Sequence, residues 1–253
     1  MREIHVQRPH LQASDEPELV QYRSVSGLAM VGLLVGLLSW LAMLSRALWV
    51  IPLAGLIINA IALRRIAILA PAIVGRKAAL VGLLLSAAFA AAGPVQWTSY
   101  RWLMRNEARQ FGLTWFDFLA RGQPHKAFEL LSSAPTRPPL DDALWRKYPQ
   151  NSRARREIEG FVRRPSVAAL LALRGNAQVR YYDTEDQWQD RDGDWVYQTY
   201  AVTCPVEGEP TTFFVGLVMQ RSLESSAGRA FWKISNIRDA VKPVALGGSG
   251  KPE

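Results

Sequence analysis

Few side chains in this 253-residue chain combine in a way that would do chemistry. Its three histidines are His5, His10 and His125, and none stands at metal-ligand spacing from a cysteine or an acidic cluster. The single cysteine, Cys204, lies in a strand-like run, where a buried structural thiol is the expectation. No glycine-rich phosphate loop, nucleophile elbow or zinc pattern occurs, and the one glycine cluster, Gly247-Gly248-Ser249-Gly250, falls in a terminal tail. The chain thus reads as carrying no catalytic set, no metal site and no cofactor motif. What remains is charge. Arg146, Lys147, Arg153, Arg155, Arg156, Arg163 and Arg164 crowd one stretch, opposed mainly by Glu157 and Glu159. Arg153, Arg155, Arg156, Arg163 and Arg164 are the basic surface candidates. A solvated face balanced by the acidic residues 183–194 is the leading reading. Anionic lipid head groups, at about 1 kcal/mol per well-placed cation, and a partner protein are the alternatives.

The net charge of +8 does not mark a nucleic-acid platform. From residue 98 onward 22 basic side chains stand against 18 acidic ones, a near balance. Arginine outnumbers lysine 24 to 6, a usage typical of a GC-rich bacterial genome.

These residues must be positioned by two unlike parts. Residues 24–45 contain no charge, and residues 47–63 and 78–97 are likewise apolar. About 20 such residues cross ~30 Å of hydrocarbon. The outer two meet that length, and Arg46, Arg64 and Arg65 extend the middle one by snorkelling. The expectation is a three-helix transmembrane module over 24–97, after a flexible tail over 1–23. Gly32 and Gly36 in the first span, and Gly82 and Ser86 in the third, are small residues four apart that let helices approach closely. Asn59 is the amide inside the second span and reads as interhelical glue. The apolar residues 66–75, interrupted by Pro71, read as an interfacial loop. With three spans, the N-terminal tail and the second loop share one side and carry seven Lys and Arg residues, against four on the other. The expectation is an N-terminus in the cytoplasm and the domain after residue 97 on the outer side of a bacterial inner membrane.

The segments Ala62-Leu63-Arg64-Arg65-Ile66 and Gly75-Arg76-Lys77-Ala78-Ala79-Leu80 resemble a family of small bacterial membrane modules. In that family an "ALRRI" helix end and a "GRxxA" helix start flank the loop between two spans. The resemblance covers residues 24–93 and implies an anchor without an assigned activity.

From residue 98 the spacing of Phe111, Trp115, Phe118 and Leu119 predicts a helix closed by Gly122. Short helices follow, including one over 141–148. Residues 178–188, 195–204, 211–220 and 230–238 alternate as strands, the first two joined by an Asp-Gly turn. Helices followed by antiparallel strands make an α+β fold over 98–241, with a tail over 242–253.

The run Trp115-Phe116-Asp117-Phe118-Leu119-Ala120-Arg121-Gly122, with the short helix after it and the closing strand Phe231-Trp232-Lys233-Ile234, resembles the nuclear-transport-factor-two-like superfamily. That resemblance implies a cone: helices packed on a curved antiparallel four-stranded sheet, with a pocket inside. Tyr181, Tyr197, Tyr200, Trp115 and Trp232 are then the pocket candidates, with core filling as the rival role. Enzymes of the superfamily use a carboxylate with a His or Tyr, for which Asp117, Asp183 and the tyrosines are the candidates here. Asp117 and His125 are expected to face solvent. The expectation is a membrane-anchored, non-enzymatic protein whose cone binds a small ligand or a partner protein, a second copy included. The alternative is a tethered enzyme with a carboxylate–tyrosine pair in the cone.

Overall fold

The computed structural model describes residues 24–69, 73–150, 152–206, 208–224 and 229–247. The expected tail over 1–23, with His5 and His10, lies outside the described residues. So do the last residues of the C-terminal tail and Pro71 of the expected loop. The chain divides into two compact units, Met1–Trp97 and Thr98–Glu253.

In the first unit, helix α1 (Gly27–Leu38) starts where the Ser26 hydroxyl accepts from the Ala29 N–H at 3.3 Å. It tightens into 3₁₀ turns over Ser39–Met43. Ser45 caps a further 3₁₀ turn, Arg46–Trp49, which runs into α2 (Val50–Ile68). Pro52 sits in the first turn of α2, where a missing N–H costs nothing. Helix α3 (Arg76–Ala120) follows. Strand β1 (Ser24–Val25) pairs in parallel with β2 (Ile73–Val74), so α1 and α3 start side by side.

Three crossings are not what the helix lengths give. Two helical stretches, Arg46–Ile68 and Arg76–Ala120, are long and apolar enough to cross a membrane; Gly27–Met43 is shorter. The first segment is cut short at Leu44, where the tightening ladder ends and Ser45 begins the next cap. The interfacial loop is also shorter than expected, because α2 carries on through Ile66 to Ile68. The helix that carries the third apolar stretch runs on past Trp97. Pro94 deletes one ladder hydrogen bond without ending the helix, and the helix expected after residue 98 is the continuation of α3. A further pattern links α1 and α3: Ala29-Met30-Val31-Gly32-Leu33-Leu34-Val35 recurs as Ala79-Leu80-Val81-Gly82-Leu83-Leu84-Leu85.

The second unit is α+β. Helix α3 ends in a Schellman turn, with Gly122 at φ +68° and the Gln123 N–H donating to the Phe118 carbonyl at 2.8 Å. Helices α4 (Pro124–Glu129), α5 (Arg153–Val162) and α6 (Pro165–Leu173) follow; the helix expected over 141–148 is only a 3₁₀ turn, Leu144–Lys147. Strands β3 (Gln178–Asp190), β4 (Gly193–Val206), β5 (Glu209–Glu224) and β6 (Arg229–Arg238) form an antiparallel sheet in that order. Register shifts after Tyr181 and after Thr184 mark bulges in β3, devices that bend and twist a strand. One face of the sheet packs Val196, Tyr200, Val215 and Leu217 on Met104, Trp115 and Leu119 of α3. The β6 edge is held by Arg137, whose guanidinium donates to the Glu129, Ser132 and Trp232 carbonyls at 3.0, 2.9 and 2.9 Å.

Candidate functional site

The small and polar residues singled out in the first unit meet at one point. Asn59 on α2 is fully buried and its amide nitrogen donates to the Gly32 carbonyl at 2.9 Å and the Gly55 carbonyl at 2.8 Å. A Cβ at Gly32 would strike the Asn59 amide, and one at Gly36 would lie 2.7 Å from the Gly82 carbonyl. A Cβ at Gly82 would meet both Asn59 and the Gly32 carbonyl oxygen, and one at Gly55 would strike the Ser86 hydroxyl. At Gly36 and Gly82 glycine is required because backbones touch, and at Gly32 and Gly55 because a buried side chain fills the space. Trp49 donates its indole N–H to the Ala42 carbonyl at 3.1 Å, and the Arg46 guanidinium lies 3.7 Å from the centre of the Trp97 ring.

In the second unit Tyr181 and Tyr200 pair across β3 and β4 and face α3, with ring centres 6.1 Å apart. The link between them is Gln198. Its amide nitrogen donates to the Arg105 carbonyl at 2.9 Å and the Thr184 hydroxyl at 3.1 Å, and its carbonyl accepts from the Tyr200 hydroxyl at 2.8 Å. Tyr181 and Thr184 share a hydroxyl–hydroxyl bond of 2.9 Å. Burial pushes the Tyr200 hydroxyl far above the usual phenol range, and Tyr181 adds to the rise while Arg109 opposes it. No carboxylate takes part in this network among the described residues: Asp117 is exposed and ion-paired to Arg121 at 2.9 Å, and Asp183 is exposed. The network is made of three hydroxyls and one amide, and burial keeps the Tyr200 hydroxyl protonated at physiological pH. Its chemistry is that of a fixed polar core, which the fit of Tyr200 against Gly112 makes tight; a Cβ at Gly112 would strike the phenol oxygen.

Tyr197 is not part of it. It points to the opposite sheet face, buried under Gly216 with the Arg238 guanidinium 5.4 Å from its ring centre. Trp115 is core, edge-on to Phe116 at 4.8 Å. Trp232 donates its indole N–H to Glu107 at 3.1 Å and so enters a second polar cluster. There Arg221 lies 3.3 Å from Glu107 and 3.9 Å from Asp194, and the Tyr100 hydroxyl donates to Asp194 at 2.5 Å. Burial, then the bond to Asp194, pushes the Tyr100 hydroxyl up to about 12. No motif in the sequence marks this group. Glu107, the lone acid between Arg76 and Asp117, was the available signal.

The basic candidates scatter. Arg153 and Arg155 pair along α5 with Glu157 and Glu159 at 2.9 and 3.4 Å, while Arg164 reaches the Ile237 carbonyl at 3.4 Å. Arg156 and Arg163 are exposed without an ion pair among the described residues. Two clefts open beside them. One, of 410 Å³, is lined by Gly122, Gln123, His125 and Asp142; the other, of 260 Å³, by Arg155, Ile158, Glu159, Val162 and Arg163; Pro124 and Trp145 line both. Trp145 is 40% exposed, with the Arg155 guanidinium 4.1 Å from its ring centre and the His125 ring at 4.9 Å. His125 is therefore half-buried rather than free in solvent, because Trp145 covers it. Burial, with Lys126 beside it, lowers its pKa and keeps the ring neutral.

Comparison with protein-family models, curated proteins and solved structures finds no match to this chain.

Proposed function

We propose that the chain is a bacterial inner-membrane protein whose three-helix anchor carries a non-catalytic, cone-like α+β domain that binds a small ligand or partner on the envelope side. The observation that carries this reading is the inside-out packing of the first unit. It buries Ala29, Gly36, Ser39, Asn59, Ala62 and Ser86, and exposes Leu34, Leu37, Leu53, Ile57, Ile61 and Leu84. Only 22% of each spanning window is buried, the reverse of a core helix in a water-soluble protein. That surface is matched to hydrocarbon.

A third crossing by the first segment is supported by heights. Gly93 on α3 abuts Trp49, whose indole is bound to Ala42. Arg76 to Gly93 rises about 26 Å. Twelve α and five 3₁₀ residues of the first segment cover about 28 Å, so both rods traverse one thickness. The likeness to the nuclear-transport-factor-two-like cone is retained on element order and on the bulged β3. Support for binding over catalysis comes from the fully engaged Tyr181–Thr184–Gln198–Tyr200 network, and from open clefts that lie elsewhere.

A single exposed cysteine, Ser235→Cys in a Cys204→Ser background, tests the placement. Labelling in intact cells by a membrane-impermeant maleimide, with the protein resisting carbonate extraction, is the expected outcome. Release into the supernatant would overturn the anchor, and labelling only after the inner membrane is broken would overturn the sidedness. One observation favours a second reading, a tethered enzyme: the Tyr100–Asp194 contact is a carboxylate–tyrosine pair, though formed by none of the three tyrosines first considered.

A further inference from the structure

The two clefts that meet at Trp145 differ from the polar clusters of the domain in being open, partly apolar and incompletely paired in charge. Pro124, Ile158, Val162 and the indole make apolar walls. Together the clefts reach the size range of small-molecule sites. Most of the charge around them is spent. Lys126 is bound to Asp142 at 2.9 Å and Arg155 to Glu159 at 3.4 Å, which leaves Arg163 as the lining cation without an ion pair among the described residues. We propose that this double cleft binds a small amphipathic monocarboxylate, its aromatic or alicyclic body against Trp145 and its carboxylate on Arg163. The proposal rests on the reading of the domain as a ligand-binding module.

The chemistry selects that class in three steps. A partly exposed indole beside proline and aliphatic side chains favours a flat apolar body over a sugar or an extended polar chain. One uncompensated guanidinium matches one carboxylate in fork geometry, whereas a dianionic phosphate would require a second free cation. His125, held neutral, offers a hydrogen bond on the far side of the indole without adding charge.

The test uses the full chain in zwitterionic lipid nanodiscs, with empty nanodiscs as the blank. Three isosteric probes are titrated by equilibrium dialysis: 1-naphthoate, 1-naphthalenemethanol and 1-naphthylmethylammonium. Naphthoate is expected to bind more tightly than the other two. Arg163→Gln weakens it by about tenfold, while Arg156→Gln, an exposed cation on α5 outside the clefts, leaves it unchanged. Binding of the alcohol or the ammonium ion with equal affinity, lost in Trp145→Leu but not in Arg163→Gln, would overturn the anion assignment and keep the ligand-binding domain. Naphthoate binding indifferent to both Trp145 and Arg163 would overturn the site. No binding by any probe would overturn the site and the ligand-binding reading together.

Discussion

The contact around Asn59 predicts a sharply unequal pair of glycine substitutions. At Gly32 every close neighbour of an added methyl belongs to the Asn59 side chain. At Gly36 the neighbours are backbone: the Gly82 carbonyl oxygen at 2.7 Å and its Cα at 2.8 Å. Both Gly32→Ala and Gly36→Ala overpack the bundle and are expected to cost about 2–3 kcal/mol. Asn59→Ala alone costs less. It removes two side-chain hydrogen bonds, each about 0.6 kcal/mol in a membrane bundle, and both carbonyl acceptors remain in their own helix ladders. In the Asn59→Ala background the obstacle at Gly32 is gone. Gly32→Ala there becomes neutral or gains up to about 1 kcal/mol of helix propensity. Gly36→Ala keeps its full cost, because backbone does not yield. The coupling energy is thus about 2–4 kcal/mol for the Gly32–Asn59 cycle and near zero for the Gly36–Asn59 cycle. Reversible unfolding in mixed micelles, followed by tryptophan fluorescence, reads both cycles. Equal coupling in the two cycles, or additive costs at Gly32 and Asn59, would refute the packing described.

Three further expectations follow from the second unit. Arg137→Ala removes three hydrogen bonds to carbonyls and should destabilise the domain by about 3 kcal/mol in urea unfolding, whereas Arg156→Ala should fall within about 0.5 kcal/mol of the parent. Tyr200→Phe strands the buried Gln198 carbonyl and costs about 1–2 kcal/mol, but it should relieve part of the cost of Gly112→Ala, the ring Cζ remaining at 2.7 Å, which a urea-melt cycle detects. Tyr100 has a folded-state pKa raised above its unfolded value, so its contribution is complete below pH 10 and fades as pH rises through about 12. An ultraviolet phenolate titration should lose one late-ionising tyrosine in Tyr100→Phe; a titration unchanged by that substitution would count against the Asp194 contact.

Much of the second unit is readable from local chemistry. Alternation in the runs around Val179, Tyr200, Val215 and Ile234 marks the four strands, and Gly122 marks the end of α3, because pleat and left-handed cap are decided by neighbours in sequence. Lengths were less legible. Nothing in the residues 24–45 announces that the ladder tightens at Ser39, and nothing at 94–98 announces that one helix runs on to Ala120. The long-range pairings were beyond local pattern altogether. Arg137 in a proline-rich turn looks solvated, yet the β6 edge needs its guanidinium. Tyr100 and Glu107 on α3, Asp194 on β4 and Arg221 on β5 come from three elements, and only folding shows that each neutralises or orients the next. The tyrosines divided between faces for a related reason: the bulges in β3 and the odd–even step from Tyr197 to Tyr200 send them to opposite sides of the sheet.

The short parallel pairing of Ser24–Val25 with Ile73–Val74 has a topological consequence. In the proposed anchor, stretches that share backbone hydrogen bonds would occupy one level of the bilayer, so the entry to α1, the end of α2 with Arg64 and Arg65, and the start of α3 with Arg76 and Lys77 would emerge into the same compartment. The two ends cannot be assigned independently. A single reporter, Lys77→Cys, therefore dates the orientation of both at once, and insertion of α1 in the opposite sense to α3 would have to break the pairing first.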